Sequence, residues 1–195
     1  MFGEASTFDS DLNAWNTSAV VDMSAMFDSA TSFNGDIGAW DTSQVKTFGG
    51  MFSRAASFDS PLNDWDVSSV TDMTIMFYYA PSFSQDISAW NVSSVTEMTS
   101  MFYGATSFDS DLNSWPISTS SAVTMSNMFY NATSFSGNLQ DWQVSSVVDM
   151  RGMFGFATSF AGNLSAWNVS RVQDMRSLFS FATSFDSVLD AWDVR

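Results

Sequence analysis

Apolar positions along this chain recur in step. Tryptophans stand at Trp15, Trp40, Trp65, Trp90, Trp115, Trp142, Trp167 and Trp192, 25 residues apart except for one interval of 27. Met-Phe pairs keep the same beat at 1–2, 26–27, 51–52, 76–77, 101–102, 128–129 and 153–154, with Leu178-Phe179 as the last version. An alanine follows each pair, then a phenylalanine three residues on (Phe8, Phe33, Phe58, Phe83, Phe108, Phe135, Phe160, Phe185), then an aliphatic residue such as Leu12 or Ile37. Past each tryptophan a valine column opens a segment that ends in methionine, with Phe48 as the exception. A fixed period of 20 to 50 residues marks a repeat array. Units this short cannot bury an apolar face alone, so each must stack on its neighbours.

Segments such as Val70-Thr71-Asp72-Met73 suit a strand of about three to five residues. Met76-Phe77-Tyr78-Tyr79-Ala80 has apolar residues at i, i+1 and i+4, which predicts one turn of helix or 3₁₀. The pattern therefore predicts a β-rich solenoid: eight stacked 25-residue coils, each with short parallel strands and a short helical or 3₁₀ turn. At roughly 4.7–4.9 Å per coil it would be a rod on the order of 35–40 Å long. A propeller blade needs about 40 residues, and no amphipathic run here is long enough for a helical repeat. Residues 1–195 read as one array, with two extra residues in repeat five within 117–123. Pro61, Pro81 and Pro116 fall where other repeats have polar or turn residues, so they mark corners. No polar capping repeat is visible at either end, which suggests a segment of a longer array or ends covered by neighbours.

Composition narrows the chemistry. The chain has 19 Phe, 13 Met and 8 Trp but no Cys and no His. Disulfides, thiolate catalysis, Ser-His-Asp triads and most zinc sites are excluded. The net charge of −15 argues against nucleic acid and anionic membranes, which need basic patches. The charge is uneven, −13 over residues 1–125 and −2 over 126–195. No apolar stretch reaches about 18 residues, so no direct membrane insertion is expected.

The phrase Met76-Phe77-x-x-Ala80-x-Ser82-Phe83-x-Gln85-Asp86-Ile87-x-x-Trp90-Asn91-Val92-Ser93-Ser94-Val95-Thr96 resembles the BspA-like surface-protein repeat, also known as a domain of unknown function in mycoplasma lipoproteins and common in marine microalgae. The resemblance covers nearly all of the chain. It implies a leucine-rich-repeat-like solenoid, a cell-surface or extracellular location, and adhesion or protein binding. It carries no catalytic residues.

The strongest chemical candidates are acids repeated at one place in successive repeats. Asp11, Asp36, Asp86 and Asp111 form one column, and Asp9, Asp59 and Asp109 a second two residues earlier. Stacked carboxylates repel, and calcium bound by Asp9, Asp11, Asp36, Asp109 and Asp111 would relieve that. The alternative is that each acid accepts hydrogen bonds within its own turn: Pro61, Asn138, Asn163 and Val188 break the column, and the Asp/Asn exchange is what a turn role predicts. The Asn/Asp after tryptophan (Asn16, Asp41, Asp66, Asn91, Asn168, Asp193) reads as a turn former. Sequons at Asn16, Asn91, Asn131, Asn163 and Asn168 are candidate glycosylation sites if the chain is secreted from a eukaryote. The aromatic columns read as core, although a partly exposed Trp stripe could bind sugar.

No repeat departs from the others in a focused polar cluster, so no enzyme is expected and no cofactor beyond possible calcium. Two functions remain: a module that binds protein or glycan at a cell surface, or a subunit that self-associates through open solenoid ends into an extracellular fibre.

Overall fold

The computed structural model describes residues 1–119 and 121–194; Ser120, inside the predicted insertion, and Arg195 lie outside the described residues. The protein is mostly non-helical, with few strands. Two short parallel strands, β1 (Val123–Thr124) and β2 (Val147–Asp149), pair in an open sheet with an irregular register. Elsewhere the pairing narrows to single parallel bridges, Asp22 to Thr47, Thr47 to Asp72, Asp72 to Glu97, Glu97 to Thr124, and Asp149 to Asp174. Each bridge therefore joins a residue to its counterpart in the next repeat.

Strands stay this short because the backbone alternates between two kinds of partner. The N–H groups of Met23, Ala25, Phe27 and Ser29 donate forward to the carbonyls of Thr47, Gly49, Met51 and Ser53, at 2.7–3.2 Å. The intervening Met26, Asp28 and Ala30 donate instead to carbonyls three residues back. The next repeat repeats the scheme, with Phe48, Gly50, Phe52 and Arg54 donating to Asp72, Thr74, Met76 and Tyr78. Half of the donors thus join repeats and half close local turns, which leaves few N–H groups in this segment without a partner.

No helix or 3₁₀ segment occurs among the described residues, contrary to the expectation for Met76–Ala80 and its equivalents. Two positions per repeat have positive φ. Ala25 (51°) and Ser29 (58°) are one pair, Ile75 (49°) and Tyr79 (49°) another, and Asn127 (55°) and Asn131 (56°) a third. Each is the third residue of a turn closed by an i to i+3 hydrogen bond, where a type II turn requires a left-handed residue. A left-handed residue every fourth position breaks any helix, so the segment becomes a series of turns.

Side chains of like columns pile into a continuous core. Within a repeat the two phenylalanines stack at 3.8–4.1 Å between ring centroids, as in Phe77 and Phe83. Between repeats the first phenylalanines lie 5.5–5.7 Å apart and nearly parallel. Trp90 and Trp115 follow at 6.3 Å and 8°. From Trp40 onward each indole N–H donates to the aliphatic-column carbonyl of the preceding repeat, for example Trp90 to Leu62 at 3.0 Å. This bond gives each large ring a satisfied polar end inside an apolar stack. Where valine of the post-tryptophan column is replaced by threonine, the buried hydroxyls of Thr17 and Thr42 donate to the carbonyls of Asp41 and Asp66. Among the described residues no buried side-chain N or O lacks a partner. Ile117 and Ser118 of the lengthened repeat remain buried, and the Ser118 carbonyl accepts from the Ser146 hydroxyl. Pro61, Pro81 and Pro116 are all exposed.

Candidate binding surface

The acid columns are engaged in backbone hydrogen bonding. Asp11, Asp36, Asp86 and Asp111 each accept from the N–H two residues on, at 2.8–3.0 Å, and Asn138 and Asn163 do the same. That is an Asx turn, in which Asn and Asp serve equally. Asp9 and Asp109 differ, because each carboxylate reaches the next repeat and accepts from the N–H of Asn34 or Ser136. Asp59 reaches Ser84 in the same way. Among the described residues no group of three or more His, Cys, Asp or Glu is arranged to hold a metal ion.

A third polar column, on the parallel bridges themselves, was not singled out from the sequence. It runs Asp22, Thr47, Asp72, Glu97, Thr124, Asp149, Asp174. Hydroxyls separate several of its charges, with Thr47 donating to Asp72 at 3.2 Å and Thr124 to Glu97 at 2.8 Å. Near its end Arg176 grips Asp174 at 2.6 Å. Hydrogen bonds from the Arg176 side chain, then its backbone, hold Asp174 down at about 2. Bonds from Ser24, Ser43, Ser68 and Ser88 lower Asp22, Asp41, Asp66 and Asp86.

A pH dependence follows. A carboxyl lowered in the folded state contributes stability that is complete above the unfolded value of about 4 and is lost as pH falls through the folded one. The melting temperature should therefore drop between about pH 4 and pH 2, even though acid relieves self-repulsion of the −15 charge. Scanning calorimetry across that window checks it, and a melting temperature that holds or climbs down to pH 2 would contradict it.

Four of the five sequon asparagines, Asn16, Asn91, Asn163 and Asn168, are exposed, while Asn131 is half-buried at a left-handed position. The Oδ1 of Asn16 and of Asn168 accepts from the hydroxyls of Ser18 and Ser170, at 2.7 Å in each case.

Tryptophan does not supply an exposed stripe: from Trp40 to Trp167 the rings are 2–3% exposed, and the less buried aromatics of the array's interior, the exposed Tyr79 and the half-buried Tyr78, Tyr103, Tyr130 and Phe156, are elsewhere. They occupy the two variable positions between Met-Phe and Ala. There Arg54 lies over the Tyr78 ring at 5.6 Å, and Tyr78, Tyr79, Tyr103, Tyr130, Phe156 and Phe181 follow in a line. Successive centroids are 4.5–5.3 Å apart, for instance 4.8 Å from Tyr103 to Tyr130 and 4.5 Å from Phe156 to Phe181. All four tyrosines of the chain belong to this line. Burial and then the adjacent Tyr79 phenol push Tyr103 up to about 12. A signal was present in the sequence, since Tyr78, Tyr103 and Tyr130 fall in one column, but that column is not invariant.

The stripe also carries strain. Arg54, Ile75, Tyr79, Phe156 and Phe181 all sit at left-handed positions that other repeats fill with Ser, Ala, Asn, Gly or Glu. A bulky residue there costs about 1–2 kcal/mol, most clearly for β-branched Ile75. Ile75 is 37% and Tyr79 45% exposed, so core burial does not offset that cost.

The protein is thus a non-helical repeat domain whose invariant columns point inward and whose variable columns form an aromatic, strained surface. Residues 1–115 and 116–195 each match the family described as "Mycoplasma protein of unknown function, DUF285". The chain belongs to that family. No curated protein matches it.

Proposed function

We propose that the chain is a leucine-rich-repeat-like solenoid of the BspA-like kind, acting outside the cell or at its surface as a non-enzymatic module for adhesion and for binding protein or glycan. The observation that supports this reading most is the division of labour among columns. Core columns hardly vary between repeats, whereas the variable pair before each alanine presents a partly exposed aromatic line at a cost in backbone strain. A scaffold that keeps its core constant and varies one face suits recognition. No helix among the described residues is long and apolar enough to cross a membrane.

Beads carrying the purified chain should bind saturably to arrays of extracellular-matrix proteins or of surface glycans. Saturable binding to neither array would end this reading.

A second reading, a subunit stacking end to end in an extracellular fibre, has its own support. Trp15 in the first repeat is 40% exposed and Val194 in the last 69% exposed, although their counterparts in the interior repeats are buried, so both terminal repeats leave apolar core positions uncovered. Further repeats of the same chain or a second copy would cover them. Long filaments in negative-stain micrographs would support the fibre, and discrete particles near 21 kDa in size-exclusion chromatography would exclude it.

A further inference from the structure

We propose that Asn34 is a self-modifying site, at which the main-chain nitrogen of Gly35 attacks the Asn34 side-chain carbonyl carbon and turns the asparagine into an acidic residue. Three observations carry it.

The reactive dipeptide occurs once. Of the 11 asparagines in the chain, only Asn34 is followed by glycine. The others precede residues whose side chains crowd the five-membered ring that must close between side chain and main chain. Glycine is also required at this place by the fold. Gly35 is buried, and a Cβ on it would run into the Ser10 carbonyl of the preceding repeat. The need for glycine at 35 and for a hydrogen-bond acceptor at 34 thus puts the reacting pair side by side.

The carbonyl under attack is already polarised. In this column a side-chain oxygen accepts from the N–H of the same position one repeat on: Asn34 donates to Asp9, Asp59 to Asn34 and Ser84 to Asp59, each at 2.8 Å. The buried Ser60 hydroxyl lies 3.2 Å from the same Asn34 Oδ1 and 2.7 Å from the Asn34 main-chain carbonyl. Attack on Cγ drives negative charge onto Oδ1. A fixed backbone N–H points at that atom, and a hydroxyl beside it can rotate to add a second bond. Preorganised donors at a developing oxyanion lower such a barrier.

The nucleophile and the leaving group are free. Among the described residues neither the Gly35 N–H nor Asn34 Nδ2 donates to a protein group, and Asn34 is exposed to water. The reaction balances with water alone. The Gly35 nitrogen bonds to Cγ, its proton leaves with Nδ2 as ammonia, and a succinimide closes. Water then cleaves one imide C–N bond, leaving aspartate if it opens at Cγ and isoaspartate if it opens at the main-chain carbonyl. An aspartate at position 34 accepts from Asp59 as the asparagine does, so the turn survives while the charge changes. Before conversion no two successive members of the column (Asp9, Asn34, Asp59, Ser84, Asp109, Ser136, Ala161, Asp186) are both acidic. Afterwards three in a row are, and like charges facing each other across adjacent strands repel. The site is a slow, one-way switch of charge near the start of the array.

Peptide mapping by mass spectrometry on the folded chain, incubated at neutral and at mildly alkaline pH, tests this, with a synthetic peptide of residues 31–37 as the unfolded reference. Asn34 should be the first asparagine to gain the mass of an amide-to-acid change, and faster at the higher pH, because the attacking nitrogen must lose its proton. Ser60→Ala should slow the conversion at least threefold with unchanged tryptophan emission. An intact Asn34 in the folded chain once the peptide is fully converted overturns the proposal. So does a Ser60→Ala rate equal to or above the parent's, since a reaction passing through unfolded chain would not be slowed by losing that hydroxyl.

Discussion

Trp90→Ala should be the most damaging single substitution in the interior of the array. The ring is 2% exposed, stacks on Trp115 at 6.3 Å and donates to the Leu62 carbonyl at 3.0 Å. Removing a buried tryptophan costs about 3–5 kcal/mol through lost transfer energy and the cavity left behind. The Leu62 carbonyl then loses its donor inside the core, for about a further 1–3 kcal/mol. Trp90→Phe separates the two terms, because it keeps most of the ring and removes only the donor. Urea unfolding monitored by far-UV circular dichroism should show a deficit of several kcal/mol for the alanine variant and about 1–3 kcal/mol for the phenylalanine variant. A phenylalanine variant as stable as the parent would mean that the indole N–H contributes nothing, whereas equal deficits would assign the whole effect to it. Since stability in such arrays is a sum over repeats and their interfaces, unfolding of Trp90→Ala should also become broader or biphasic as the two flanks separate.

Gly104→Val is expected to rank next, for a different reason. Gly104 is buried with φ of +69°, and a side chain there runs into the Tyr79 ring. Valine meets both obstacles: a β-branched residue forced into the left-handed region costs about 1–2 kcal/mol, and overpacking adds about 1–3 kcal/mol. Gly104→Asn tolerates the backbone but not the ring. A smaller loss from asparagine than from valine, measured by thermal melts, would show that backbone and ring contribute separately; equal losses would assign the whole effect to the ring. In either variant Tyr79 must lift from its seat, so any ligand held by that ring should be lost along with stability.

These cases show what could be read from the chain and what could not. Trp90, Phe77 and Ile87 announce their places because an inward position repeated eight times leaves an unbroken column. The Asp11 column was legible as an acceptor position from its exchange with Asn138 and Asn163, since only an oxygen at the same reach is common to both. The turn conformation of Met76–Ala80 was not. Spacing of apolar residues at i, i+1 and i+4 is shared by a helical turn and by two linked type II turns, and the glycine that would have betrayed a left-handed residue is replaced by Ile75 and Tyr79. The aromatic line escaped notice for the opposite reason to the core. Its members move between two adjacent positions, from Tyr78 and Tyr79 to Tyr103 and then Phe156, so no single column holds them all. Only the lean of one repeat's ring over the next repeat's glycine joins them into one surface.

The forward hydrogen bonds described above all span nearly the same distance along the chain: Ala25 to Gly49, Gly50 to Thr74, Ile75 to Thr99. Every long-range contact of this backbone therefore closes a loop of about one repeat, and the entropy of closure is the same at each step. Assembly of such a chain is a zipper with equal teeth. Once two adjacent repeats have met, each later one adds to a template already formed, so doubling the number of repeats lengthens the time to complete the fold without adding a harder step.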